Sequence, residues 1–244
     1  MQYTREAPNF HTHFDEQITM TENDYPTQHG NGHQPLANVH RLLAAEVVMK
    51  RITVIGPSGS GKSTLSRQLG EKLGLDVIHL DRHYWHPGWI GTPFSDWRSM
   101  VEAFVSQERW IIDGNYRSTL DVRMSASDTV VFLDLPRWVC VWRAMKRRLE
   151  YRHKPRPDMA RGCKERILDP NFPAFLRGIW DYPNRARPDV LSRLSKLDDK
   201  TQVVWLRKTH EVKAFLQSPR QWSAYLPPSD EEFLGHLYNR SANS

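Results

Sequence analysis

Residues Gly56–Ser63 read Gly-Pro-Ser-Gly-Ser-Gly-Lys-Ser, the spacing G-x-x-x-x-G-K-[ST] of a phosphate-binding loop. Each residue type has a use. The glycines let the backbone curl, so that N–H groups of Gly56, Ser58, Gly59, Ser60 and Gly61 point inward at phosphate oxygens. A helix that starts at the end of the loop adds its own N-terminal N–H groups at Lys62, Ser63 and Thr64. Lys62 is placed to reach the β- and γ-phosphates, and the Ser63 hydroxyl to ligate Mg²⁺. The expected ligands are therefore ATP and Mg²⁺. A chance glycine-rich turn is the competing explanation, but the flanking elements are in register with the motif.

Those flanking elements are the next requirement. Ile52-Thr53-Val54-Ile55 is a β-branched run that delivers the loop, and Leu65, Leu69 and Leu73 share one helical face after it. Gly74 ends that helix as a C-cap. Asp76–Leu80 predicts a second strand that delivers Asp81, followed by an aromatic loop from His83 to Trp89. Ser95 is placed to cap a helix carrying Trp97, Val101, Phe104 and Val105 on one side. Trp110-Ile111-Ile112 predicts a third strand ending at Asp113, and Thr129–Leu133 a fourth ending at Asp134. Pro136 suits the first turn of a helix bearing Trp138, Trp142, Met145 and Leu149. Val203–Leu206 predicts the last strand, and Thr209 caps a closing helix through Leu216. Alternating strands and helices imply an α/β fold, a parallel five-stranded sheet flanked by helices with ligands at the carboxyl ends of its strands.

The whole chain has 244 residues, a net charge of +6 and two cysteines, Cys140 and Cys163. Mean hydropathy is −0.64, so part of the length is expected to lie outside the core. Neither cysteine has a close metal-ligand partner, which points to a reducing, cytoplasmic setting. No apolar run approaches a membrane span. Residues 1–48 contain five of the eleven histidines (His11, His13, His29, His33 and His40) at irregular spacing, with little apolar period, and are expected to be a disordered extension. Met49 is the expected functional start. Residues 49–217 form the expected folded unit, and 218–244 a loosely attached tail.

The loop alone does not select a reaction. A guanine reader of the type Asn-Lys-x-Asp is missing, which excludes the GTPase class. No candidate strand ends in the Asp-Glu pair of motor and transporter ATPases. A folded unit of about 170 residues fits a small-molecule kinase.

Ile111-Ile112-Asp113-Gly114-Asn115-Tyr116-Arg117 resembles the strand-Asp-Gly-x-x-Arg motif of adenylate kinases. The resemblance implies Asp113 as the acidic partner of the metal shell and Arg117 as a phosphate clamp. Together with His79-Leu80-Asp81, Trp85-x-x-Gly88-Trp89 and Arg156-Pro157-Asp158-Met159, it is most similar to the adenylate-kinase-like proteins labelled DNA topology modulation proteins, over roughly Met49–Leu216. It departs from true adenylate kinases where Asn115-Tyr116 replaces Phe-Pro and where Asp81 with its aromatic loop replaces the acceptor signature. Asp81 resembles the hydroxyl-activating carboxylate of uridine- and shikimate-kinase-like enzymes. It equally suits a strand-end Asp that caps a turn or pairs with Arg82 or Arg117. Trp85 and Trp89 suit either an acceptor-stacking platform or core packing.

Arg137–Arg187 carries fourteen Lys or Arg against five Asp or Glu. The resemblance implies an arginine-bearing helical lid over roughly 150–188 that closes on the transferring phosphate. Arg143, Arg147 and Arg148 are candidates on the approach, with Arg143 and Arg147 foremost. Arg152, Arg156 and Arg161 follow, and Arg185 and Arg187 lie on the return. The expected activity is transfer of the γ-phosphoryl group of Mg-ATP to a small-molecule acceptor such as a nucleoside, nucleotide or related metabolite. The competing expectations are a nucleotide-binding protein that holds DNA through the basic segment without turnover, which would be salt-sensitive, and a catalytically inactive nucleotide switch.

Overall fold

The computed structural model describes residues 49–221 except 153, 161, 164–168 and 199. The histidine-bearing stretch 1–48, the tail 222–244 and Arg161 lie outside the described residues. Met49, the expected start of the folded unit, is buried in the core beside the first strand.

Five parallel strands form the central sheet: β1 (Arg51–Ile55), β2 (Val77–His79), β5 (Trp110–Asp113), β6 (Thr129–Leu133) and β7 (Gln202–Leu206), in the order β2-β5-β1-β6-β7. β3 (Trp85–His86) and β4 (Ile90–Gly91) pair as a small antiparallel hairpin. Because β1 lies in the middle, the chain leaves it to build one edge with β2 and β5. It then crosses over to build the other with β6 and β7. That reversal places the carboxyl end of β1 at the crevice where open α/β sheets bind ligands.

Both faces of the sheet are covered, and the period-two alternation of the strands decides which residue goes where. Ile52, Val54, Val131, Leu133, Val204 and Leu206 face one layer. There they meet Leu65, Leu69 and Leu73 of α1 (Lys62–Leu73) and Phe215 of α8 (Thr209–Gln217). Ile55, Val130, Phe132 and Trp205 face the other. Here they pack on α4 (Leu120–Ala126), α6 (Phe172–Arg185) and α7 (Arg187–Leu194). Leu69 is fully buried, so truncating it to Ala costs about 2–5 kcal/mol.

Several local expectations shift. The stretch 80–91 forms a short helix α2 (Leu80–Tyr84) and the hairpin rather than an open aromatic loop. Ser95 is not a cap: α3 (Phe94–Val105) starts after Pro93, and the Ser95 hydroxyl bonds Asp96 inside the first turn. Thr209 is not a cap either, because the Glu211 carboxylate accepts the Arg207 and Lys208 N–H groups at 2.7 and 3.0 Å at that helix start. On α5 (Arg137–Glu150) the buried face is Cys140, Ala144 and Arg148, while Trp138, Trp142, Met145 and Leu149 point outward. Within the basic segment, α6 is part of the body: its Ile179 packs against Cys140 and Ala144, and its Tyr182 against Phe132's layer. No helix among the described residues is long and apolar enough to cross a membrane.

Candidate active site

The phosphate loop follows β1 and is braced from behind by α5. Gly59 has φ +81°, and a Cβ there would lie 2.1 Å from the Cys140 carbonyl oxygen. Only glycine lets the loop lie this close to the helix. Arg143 completes the brace by donating from Nη1 to the Ser60 carbonyl at 3.1 Å and from Nη2 to Thr209 Oγ1 at 3.2 Å. The Lys62 ammonium folds back onto the carbonyls of Gly56 and Pro57, at 2.8 and 2.9 Å. Burial lowers its pKa, and the negative charges of Asp81 and Asp113 oppose that shift. The Ser60 hydroxyl is buried without a protein partner. This orphan donor, the glycine-only approach at Gly59 and the first unpaired N–H groups of α1 together suit a polyphosphate. Ser58, Gly61 and Ser63 line the same turn, with Thr64 more exposed one residue on.

Asp113 arrives at the end of β5 and is buried. The parallel register pairs His79 with Asp113, and His79 Nδ1 lies 3.0 Å from Asp113 Oδ2. Burial works against the charged imidazole, but the hydrogen bond and charge of Asp113 outweigh it and raise the His79 pKa. Among the described residues no cluster of three or more His, Cys, Asp or Glu forms a metal site. A divalent ion at this edge would share its ligands with phosphate, as the pairing of one hydroxyl (Ser63) with one carboxylate (Asp113) suits.

Asp81 lies in the first turn of α2. Neither Arg82 nor Arg117 is its partner. Tyr116 donates its hydroxyl to Asp81 Oδ1 at 2.7 Å. Burial and the Asp81 charge hold the Tyr116 pKa well above its ordinary value, so the hydroxyl remains a donor across the working range. Tyr116 is itself wedged between Tyr84 and Trp97, with ring centroids 4.7 and 4.9 Å away. Trp85 and Trp89 meet edge to face at 5.6 Å, both partly exposed on the hairpin.

The segment after α5 lies across this hairpin. Arg82 Nη2 donates to the Pro157 carbonyl at 2.8 Å, and the Cys163 thiol to the His86 carbonyl at 3.3 Å. Arg156 grips Asp158 with two hydrogen bonds of 3.2 and 2.7 Å. Burial alone would raise the Asp158 carboxyl, but Arg156 outweighs it and holds the pKa at about 2. The charge of Arg147 acts on both Lys62 and Asp158. Four other candidate arginines are anchored elsewhere. Arg117 donates from Nε to Asp189 at 3.1 Å, Arg187 to Asp134 at 2.9 Å, and Arg148 lies 3.5 Å from Asp169 with its guanidinium over Phe172. Arg152 turns back to the Leu149 carbonyl.

One organising residue escapes sequence reasoning. Arg123 of α4 is fully buried and donates to the carbonyls of Gly114 and Tyr116 at 3.0 and 2.9 Å. It thereby sets the turn that carries Asp113 on one side and Tyr116 on the other. Burial brings its pKa down to about 10, opposed by the charge of Asp113. The only signal in the sequence is its place three residues after Leu120 and beside Met124, on an apolar helix face.

No family model matches the sequence, and no curated protein matches it. Among solved structures the chain is similar to the shikimate kinase of Acinetobacter baumannii in complex with shikimate, at 17% identity over 72% of this chain and 93% of that one, with a TM-score of 0.46. A gluconokinase from Sinorhizobium meliloti 1021 matches at 18% identity over 70% and 94% of the two chains, with a TM-score of 0.40. Deoxyadenosine kinase from M. mycoides with products bound matches at 14% identity over 68% and 94%, with a TM-score of 0.37.

Proposed function

We propose that this chain is a Mg-ATP-dependent phosphotransferase that moves the γ-phosphoryl group to a hydroxyl of a small acceptor, of the nucleoside, nucleotide or related-metabolite class. One observation carries the reading. The parallel register sets Asp113, at the carboxyl end of β5, beside Val54 of β1 and His79 of β2, so it lies between the root of the phosphate loop and Asp81, two residues past β2. We assign donor, metal and acceptor functions to the carboxyl ends of these three adjacent strands.

The loop from Gly56 to Thr64 would hold the triphosphate through its backbone N–H groups and the Ser60 hydroxyl. Lys62 would exchange its carbonyl partners for phosphate oxygens. Mg²⁺, held by Ser63 and Asp113, supplies neutralisation of the phosphate charge when bound. Asp81, oriented by Tyr116, would accept the proton of the attacking acceptor hydroxyl as the new O–P bond forms and ADP departs. Arg143 would serve by fixing the loop through the Ser60 carbonyl, and Arg147, whose charge acts on Lys62, would follow the transferring charge.

The test is ADP release from Mg-ATP with a panel of nucleosides, nucleoside monophosphates and sugars. Acceptor-stimulated turnover is expected, abolished in Lys62→Ala. In Asp81→Asn it should fall by about 10²–10⁴ while Mg-ATP still binds. A purified chain that binds no Mg-ATP, or turnover that survives Lys62→Ala, defeats the proposal.

A further inference from the structure

The outward side of α5 does not behave like the surface of a finished monomer. Trp138 is 66% exposed, Trp142 64%, Leu149 56% and Met145 41%. Their spacing along the helix is four, three and four residues, the repeat of a helix–helix seam rather than of scattered surface positions. Trp180 of α6, 49% exposed, borders the same face, with the Arg137 guanidinium 4.9 Å above its ring. Beside it runs a groove of about 320 Å³ lined by Val141, Leu176, Arg177, Trp180 and Asp181.

The exposed area of this face reaches what an interface needs. With each large side chain able to bury about 150–250 Å², the five exposed residues offer about 600 Å² of apolar surface. That is at the top of the range of about 300–600 Å² for the largest patch of an ordinary monomer. Doubled across a two-fold axis, it gives about 1,200 Å², the lower bound of specific interfaces. The helix is also held rigidly from behind through Cys140, Ala144 and Arg148.

We propose that a second copy of this chain covers the face formed by Trp138, Trp142, Met145, Leu149 and Trp180, making an isologous dimer along α5. Sedimentation equilibrium of the full chain should return twice the 28.6 kDa chain mass at micromolar concentrations. Trp142→Glu and Leu149→Glu each change an exposed helix position outside the phosphate loop. Each should return the single-chain mass with unchanged circular dichroism, and its melting temperature should lose the dependence on protein concentration that a dimer has. A single-chain mass for the unaltered protein at every concentration overturns the dimer, as does a dimer that survives both substitutions. A full chain that dimerises only when residues 222–244 are removed also overturns it, by assigning the face to the chain's own segment.

Discussion

Replacing Gly59 with alanine tests the proposed brace between α5 and the phosphate loop. In the motif spacing Gly59 occupies a position where any residue is allowed, yet the structure leaves no room for one. Two costs add. The first is backbone: an L-residue at φ +81° is disfavoured by about 1–2 kcal/mol. The second is steric, because the new Cβ would lie 2.1 Å from the Cys140 carbonyl oxygen. Loop or helix must retreat by about 1 Å, a displacement that can cost about 10²-fold in a reacting site. Gly74→Ala isolates the first cost, since Gly74 has φ +65° and nothing within 4 Å of an added Cβ. It should lower the melting temperature by about 2–8 °C and leave Mg-ATP affinity unchanged. Gly59→Ala should weaken Mg-ATP binding by about 10–100-fold in calorimetry, beyond any shift in melting. If Gly59→Ala binds Mg-ATP within about threefold of the unaltered chain and melts like Gly74→Ala, the brace is not what shapes the loop.

Three further outcomes follow from the same geometry. Tyr116→Phe removes the 2.7 Å hydroxyl contact to Asp81. Acceptor-stimulated turnover should fall by about tenfold with little change in Mg-ATP affinity, and equal loss in both would point to misfolding instead. The raised pKa of His79 makes its bond to Asp113 stabilising below the unfolded value of 6.5. That contribution is lost as pH rises through the folded-state value, so denaturant titrations should show stability declining above about pH 6.5 and His79→Gln should flatten that slope. Arg123→Met strips two buried carbonyls of their donor and should destabilise the chain by about 3 kcal/mol, roughly 6–12 °C in melting, with Arg123→Lys intermediate.

The central sheet was legible because its strands are short β-branched runs with both faces buried, so Ile52–Ile55 and Thr129–Leu133 stand out from polar surroundings. The loop was legible because its chemistry fixes its spacing. What the sequence withheld are choices made by tertiary neighbours. Arg117 finds Asp189 across 72 positions, a pairing that no local pattern encodes. The stripe on α5 has a clear period, but a period does not say which side meets the body. Small Cys140 and Ala144 fit there and the tryptophans do not. The α6 helix was hidden by the arginines around it, although Phe175, Leu176, Ile179 and Tyr182 carry its apolar face.

Asp189 is held from two directions. Besides Arg117 it takes Arg193, one helical turn on in α7, at 3.1 Å. A phosphate that drew Arg117 away would leave the carboxylate still neutralised by Arg193, so the departure does not strand a bare charge. A charge-assisted bond to phosphate returns about 1.5–3 kcal/mol. Were Arg117 to serve as the phosphate clamp that its motif implies, Arg193 would act as a placeholder, keeping Asp189 paired while Arg117 is away.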